Sequence, residues 1–236
     1  IENGTLSYQT REFVDCAGNT STTGTVDVLV NRTLVGRVTE FKILGGDYFP
    51  AVVFPFANAA LRPEPGAEKD VRFGDLVLQP VGLGWHNGPW HSSVSWNIFL
   101  PTGKFTAGES NNVGKGLTSH MLTGGVTWLQ ESALPWAATG TLRYEYLGSQ
   151  DTTGIKPGQV LTLEAGFSKE VASGIDLGIL GYASGQITAE QGSAPGTDTT
   201  KYRTYALGPE ITWRPETLPG AIFSLRYYRE LHARNT

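Results

Sequence analysis

Apolar and polar residues alternate at every second position through most of the chain, and breaks rich in Gly, Ser, Thr, Asn and Pro separate the alternating segments. Successive side chains of a β-strand point to opposite faces, so this period of two predicts strands, and almost no stretch shows helical periodicity. The alternation predicts eleven strands, at 5–14, 24–43, 48–61, 72–86, 90–101, 117–130, 136–147, 159–171, 175–189, 201–213 and 221–231. An all-β protein is therefore expected.

The lengths of the predicted strands and of their connections indicate the kind of β protein. Most predicted strands have 11–16 residues, whereas strands of soluble sheets average about 5–6 residues and about 9–11 tilted residues cross a bilayer. Short connections alternate with long ones, the short at 44–47, 86–89, 131–135, 172–174 and 214–220, the long at 15–23, 62–71, 102–116, 148–158 and 190–200. Outer-membrane barrels alternate in this way, with tight periplasmic turns and long extracellular loops. The pattern predicts a transmembrane antiparallel β-barrel.

The segment WAATGTLRYEYL at 136–147 shows how the two faces of a predicted strand differ. One face carries Leu142, Tyr144 and Tyr146, and the other carries Arg143 and Glu145. The alternation alone fits either a soluble sandwich or a barrel, because both give one apolar and one polar face. The strand lengths, the sorted connections and the Trp and Tyr residues near strand ends favour the barrel. The three apolar side chains are then expected to face lipid, and the two charged ones the lumen.

The predicted lumen combines charged, polar and apolar positions. Small residues and paired charges suit a confined volume better than an open surface. The residues expected to line its polar part are Arg143, Glu145, Glu164, Glu210, Arg226, Glu230, His91 and Asn97. The expected apolar track is Val77, Val81, Leu83 and Phe99. Arg32 interrupts an otherwise apolar face of the segment 24–43, and a bulge or a strand end is expected there.

Composition narrows the possible functions. The 236 residues include 18 basic and 22 acidic ones without a block of like charge, which argues against nucleic-acid binding. Only 17% of the residues are charged, below the roughly 25% of soluble domains. No run of about 18 apolar residues is present, so a transmembrane helix is excluded. The one cysteine, Cys16, has no partner for an internal disulfide and no His beside it in sequence.

Candidate catalytic and metal sites are weak. His91, Ser93 and Asn97 share one face of a predicted strand, but a barrel phospholipase would need these residue types on the outer face, where its lipid substrate is. Ser119 and His120 are adjacent, so their side chains point to opposite faces. The histidines lack the spacing of metal ligands. No catalytic residue, metal or cofactor is expected.

The number of predicted strands is odd, whereas single-chain bacterial barrels have even numbers. By the alternation of connections, the segment that ends at Leu231 is followed by an extracellular loop, of which 232–236 is the start. We therefore expect a single domain over 1–236 that belongs to a twelve-stranded barrel and lacks its last strand here. A barrel of that size lies between side-chain-filled and water-filled barrels, which predicts a narrow, partly obstructed passage.

Five motifs, in order along the chain, resemble the phenol-degradation meta-pathway family of outer-membrane proteins. They are GDLVLQPVGLGWH at 74–86, PTGKF at 101–105, PGQVL at 157–161, LGPEI at 207–211 and RYYREL with ARN within 226–235. The similarity covers 74–235 well and 26–62 loosely. The resemblance implies a β-barrel channel in the outer membrane of Gram-negative bacteria that takes up aromatic or other hydrophobic compounds. The family's ENGT-like stretch is present at 2–5, but the segment after it is shortened, and the family continues past 235 into a final strand.

We interpret the chain as a passive channel of the bacterial outer membrane for small hydrophobic or aromatic molecules. Its expected contacts are these solutes, membrane lipids and lipopolysaccharide, with no nucleic acid, and a monomer is the expected state. Two alternatives stay open: an outer-membrane barrel enzyme of the lipase or esterase type, and a soluble β-sandwich that binds a ligand. A requirement for detergent would exclude the sandwich, and a lack of ester hydrolysis by the folded protein would exclude the enzyme.

Overall fold

A computed structural model of the chain describes residues 1–10, 13–14, 19–21, 25–62, 71–109, 111–130, 135–192 and 201–234. The strands in these ranges are β1 (Glu2–Thr10), β2 (Phe13–Val14), β3 (Thr20–Ser21), β4 (Thr25–Gly36), β5 (Lys42–Ile43), β6 (Gly46–Tyr48), β7 (Ala51–Arg62), β8 (Arg72–Phe73), β9 (Val77–Asn87), β10 (Trp90–Phe99), β11 (Ser119–Leu129), β12 (Trp136–Leu147), β13 (Val160–Ala172), β14 (Ile175–Gln186), β15 (Arg203–Trp213), β16 (Phe223–Arg226) and β17 (Arg229–Arg234). Cys16 lies outside the described residues. Nowhere in the described ranges is there a helix of the length and apolar character needed to cross a membrane.

The strands form one antiparallel meander, apart from the small separate pair β2–β3. Each long strand pairs with the next along the chain, in the order β1-β4-β7-β9-β10-β11-β12-β13-β14-β15-β16. The short strands extend the long ones: β8 precedes β9, β17 follows β16, and the β5–β6 hairpin prolongs β4 and β7. The described sheet thus has eleven strand tracks, and the predicted segment 136–147 is β12 with unchanged bounds.

Tight turns lie at one end of the sheet, which we call the short-turn end. Leu44 and Gly45 both have positive φ, 52° and 76°, as the central residues of a type I′ hairpin turn require. Gly88 and Gly174, also at positive φ, lie in two-residue turns between β9 and β10 and between β13 and β14. Longer connections join the strands at the other end, the long-loop end. The predicted sorting of connections by length is confirmed.

The sheet curls until its first and last strand tracks approach each other. The hydroxyl of Tyr8 on β1 donates a hydrogen bond to Oε2 of Glu230 on β17 at 3.4 Å. We call the face that carries these two side chains the inner face, and the opposite one the outward face. Among the described residues, β1 shares no backbone ladder with β16 or β17, so the strands described do not close the barrel. The twelfth strand stays a prediction.

The outward face keeps its large apolar side chains exposed. Leu163 on β13 is 52% exposed, and Leu142 on β12 and Leu177 on β14 are similarly open. A water-soluble sheet would bury such side chains, since burying a Leu contributes about 1.5–3 kcal/mol. Glu164, the neighbour of Leu163, points to the inner face instead. The alternation predicted for these strands is therefore present, with the apolar side turned away from the interior.

Aromatic residues occupy the outward face near both ends of the strands. Trp90 and Trp213 lie exposed at the short-turn end, and Tyr146 and Tyr205 lie exposed towards the long-loop end. The Lys156 ammonium lies 4.7 Å from the centroid of the Tyr146 ring. Amphipathic rings and the charged ends of lysines are suited to a membrane–water interface. The two bands match the Trp and Tyr residues that the sequence places near the strand ends.

A β-bulge between β9 and β10 changes which side chains of β9 face inward. The register of this ladder shifts between Trp96 and Ile98. Directly opposed residues of a ladder share a face. Val81 lies opposite Trp96, which is exposed on the outward face, and Leu83 lies opposite Val94, which is exposed there too. The register thus places Val81 and Leu83 on the outward face, contrary to the predicted apolar track, because a bulge reverses the period of two. Leu83 is nevertheless buried, at 6% exposure, and lies opposite Tyr48 of β6.

The inner face of β1 and β4 is apolar. Leu6 lies two residues from Tyr8 on β1 and opposite Val30 on β4, so both side chains share the inner face. Arg32 lies on this face as well, and its Nη2 donates a hydrogen bond to Oε1 of Glu2 at 3.2 Å. The ladders of β4 with β1 and with β7 run through Arg32 without a shift in register. The expected bulge or strand end at Arg32 is therefore wrong, and the ion pair with Glu2 accounts for its place on the apolar face.

Candidate functional site: the inner face

Ion pairs stand on the inner face of β12, β13, β15 and β16. The guanidinium of Arg143 donates a hydrogen bond to Oε1 of Glu164, and Nε of Arg226 donates one to Oε1 of Glu210 at 2.7 Å. The ladders explain both contacts, because opposed and diagonal residues on neighbouring strands are within reach of long side chains. Glu164 lies opposite Thr141, two residues from Arg143, and Glu210 lies directly opposite Arg226. The structure thus pairs four of the predicted charged residues.

These pairs are partly hydrated. The side chains of Arg143 and Glu164 are 33% and 35% exposed. Pairs with this degree of exposure contribute about 0–1 kcal/mol to stability. The pairs therefore act mainly on the electrostatic potential along the inner face. This potential is weak at a distance, because each charge has an opposite charge beside it.

A cluster of tyrosines continues the charged band to the edge of the sheet. Besides Tyr8, the hydroxyl of Tyr182 donates a hydrogen bond to Glu230, at 3.3 Å from its Oε1. The ring of Tyr182 meets the ring of Tyr228 edge to face, with centroids 5.4 Å apart. Tyr182 also lies opposite Glu164 on the ladder between β13 and β14. The sequence prediction missed these tyrosines, because an amphipathic ring on a strand indicates neither face.

The described parts of the connection between β10 and β11, at 100–109 and 111–118, fold back over the inner face at the long-loop end. Its anchor is the buried carboxylate of Asp75, which accepts the backbone N–H of Gly103 at 3.0 Å and that of Lys115 at 2.8 Å. The ammonium of Lys115 then pairs with Glu145 and lies 4.8 Å from the centroid of the Phe99 ring. Through Lys115 the connection therefore contacts side chains of the inner face. Strand parity could not place Lys115, because the residue lies outside the strands.

The remaining predicted residues of this end also lie on the inner face. Phe99 lies opposite Val77, which is buried. Of the four residues of the predicted apolar track, these two lie on the inner face. Asn97 is buried two residues from Phe99, and its Nδ2 donates a hydrogen bond to Oγ of Ser95 at 3.2 Å. Glu145 accepts a further hydrogen bond from Oγ of Ser119 at 2.8 Å.

A cavity of about 380 Å³ opens on the inner face near the short-turn end. Small residues of β9 to β12 form its floor: Gly84, Ser93, Gly125, Thr127, Thr139 and Thr141. Val38 and Phe49 form an apolar wall. The Phe49 ring lies against β9 because Gly82 has no side chain, and a Cβ there would come within 2.5 Å of the ring. The bulge in β9 gives Gly82 and Gly84 their inward positions, so it also shapes the cavity.

Two histidines and an aspartate form the polar wall of this cavity. His86 and His91 lie opposite each other on β9 and β10, and their Nδ1 atoms are 2.6 Å apart. Oδ2 of Asp47 lies 4.0 Å from Nε2 of His86. A hydrogen bond from Lys42, within the β5–β6 hairpin beyond the long strands, lowers the pKa of Asp47, so its carboxyl is ionised at neutral pH. The described residues contain no group of three or more potential metal ligands.

The chain is similar to known proteins over nearly its whole length. A family model described as "Putative MetA-pathway of phenol degradation" matches residues 10–236. The crystal structure of an outer-membrane channel from Pseudomonas putida F1 is similar, with a TM-score of 0.79 and 15% identity over 99% of this chain and 88% of that chain. No curated protein matches the sequence. At this identity the likeness shows a shared fold, that of an outer-membrane β-barrel.

Proposed function

The chain belongs to the phenol-degradation meta-pathway family, and from that premise we propose that it is a passive outer-membrane channel for small hydrophobic or aromatic molecules. The opposed faces of the sheet support this proposal most directly. Large apolar side chains are exposed along the outward face of β10 to β15, while ion pairs and hydroxyls occupy the inner face of these strands and of β16. Lipid would cover the first surface, and water and solute would occupy the second.

The proposed path runs between two unlike walls. A solute would pass Lys115 and Phe99 at the long-loop end, continue beside the paired charges, and reach the cavity at the short-turn end. The apolar surface of β1 and β4, with Leu6 and Val30, meets the edge of the charged band where Tyr8 contacts Glu230. Each charge of the two ion pairs in that band has an opposite charge beside it, so a neutral solute that passes them meets no isolated charge. Transport is by diffusion, without a chemical step, and the surrounding partners are the lipids and lipopolysaccharide of the outer membrane around a monomer.

A pair of neighbouring glycines on β11 gives a sharp test. Gly125 lines the cavity on the inner face, whereas Gly124 lies opposite the outward residues Val94 and Leu142, with free space at its Cβ. Gly125→Trp is expected to obstruct the path, while Gly124→Trp places the same ring in lipid and serves as the matched control.

The assays are single-channel conductance in planar bilayers and uptake of labelled phenol and toluene by cells that express the protein. The wild type and Gly124→Trp should conduct and speed uptake of both solutes, and Gly125→Trp should do neither. A folded wild type that neither conducts nor raises uptake would overturn the proposal. Equal effects of the two tryptophans would contradict the assignment of faces. Ester hydrolysis by the folded protein would support the barrel enzyme instead.

A further inference from the structure

We propose that the cavity at the short-turn end is a binding subsite for a phenolic solute, that is, one aromatic ring with a free hydroxyl. The proposal rests on the proposed channel function and deepens it, because it names a solute class and the place where that solute pauses. The cavity is suited to this role by its volume, its apolar wall and the hydrogen-bonding state of its histidine pair.

The volume and the apolar wall suit a substituted ring. An apolar cavity of about 150 Å³ is enough to bind benzene, so about 380 Å³ holds one ring with substituents. Phe49 presents its ring to this space, and an aromatic solute can stack on it or meet it edge to face. The glycine, serine and threonine floor leaves this space open because those side chains are short.

The polar wall has a defined direction of hydrogen bonding. In a neutral imidazole one ring nitrogen donates and the other accepts. The ionised Asp47 favours the tautomer of His86 with its proton on Nε2, which faces the carboxylate at 4.0 Å. Nδ1 of His86 is then an acceptor, so the proton between the two rings belongs to Nδ1 of His91. Nε2 of His91, a residue that lines the cavity, is then left as an acceptor.

An acceptor at His91 selects for solutes that donate. A phenol keeps its proton at neutral pH, since a phenolic hydroxyl ionises near pH 10, so it can donate to Nε2 while its ring lies against Phe49. An aryl ether of similar shape has no proton to donate. An aromatic carboxylate would bring only acceptors to this wall and is expected to bind more weakly than the phenol.

The test is ligand-observed fluorine NMR on the detergent-purified protein, with 4-fluorophenol and 4-fluoroanisole as probes. 4-Fluorophenol should bind saturably and about fivefold more tightly than the ether, the worth of one ordinary hydrogen bond. His91→Phe should reduce the phenol to the level of the ether. Phe49→Ala should weaken both probes alike. His120→Gln is the matched control and should change neither, because His120 stacks on Trp96 of the outward face.

Equal binding of the two probes by the wild type would overturn the proposal, and this comparison needs no variant that folds. Unchanged phenol binding in a folded His91→Phe would overturn it as well. Conductance and phenol uptake without saturable phenol binding would overturn the subsite and support the channel. Saturable phenol binding without conductance or uptake would support the subsite and overturn the channel.

Discussion

Removing the positive charge of Arg143 tests whether the paired charges face the path of permeating ions. Arg143→Met keeps a long side chain and leaves Glu164 without the partner it has in the structure. A unit charge acts on an ion about 8 Å away with about 0.5 kcal/mol at the dielectric constant of water. The sign is opposite for a cation and an anion, so the two differ by about 1 kcal/mol. The cation-to-anion permeability ratio is therefore expected to rise about fivefold.

The measurement is the reversal potential across planar bilayers in a KCl gradient. Glu164→Gln should shift that potential in the opposite direction. Exchanging the two residues, Arg143→Glu with Glu164→Arg, should restore it, since the net charge is unchanged. All shifts should shrink at about 1 M salt, where screening acts within about 3 Å. If both single variants conduct with the wild-type reversal potential, the pair does not face the conducting path and the assignment of the inner face is refuted.

Three further predictions concern the anchors of the fold. Asp75→Asn replaces one of the carboxylate oxygens that hold the connection between β10 and β11. A hydrogen bond to a charged group contributes about 1.5–3 kcal/mol, so limited proteolysis should cut that connection faster in the variant. Cleavage at the wild-type rate would contradict the anchoring role of Asp75. Gly208→Ala would place a methyl within 1.6 Å of the Tyr227 carbonyl oxygen; the resulting shift should cost about 1–3 kcal/mol and lower the temperature at which the protein loses its folded mobility in gels, so an unchanged temperature would refute the close approach. Asp47→Asn removes the ion pair with Lys42, and this pair lowers the pKa of Asp47. The pair therefore stabilises the protein above the unfolded carboxyl pKa of about 3.9, and the stabilisation is lost as the pH falls through the lower folded pKa. The thermal midpoints of wild type and variant should therefore converge only below about pH 4.

Local parity was enough for the strands from β10 to β15. In β12 and β13 every second residue is apolar, so the exposed Leu142 and Leu163 and the paired Arg143 and Glu164 could all be assigned from neighbours two positions away. The connections were also readable, because turn residues such as Gly88 mark where a strand must reverse. These features depend on short stretches of chain, and so the sequence determined the barrel class, the strand tracks and most of the charged residues of the inner face.

Tertiary structure decided what depends on register and on contacts across the interior. One bulge reverses the parity of β9, which moves Val81 to the outward face and opens the cavity beside Gly82. The apolar surface of β1 and β4 faces inward, and the contact of Tyr8 with Glu230, far apart in sequence, shows that direction. Lys115 and the pairing of His86 with His91 likewise depend on distances in space. A period of two determines which side chains share a face, but only the curvature and register of the folded sheet determine where that face points.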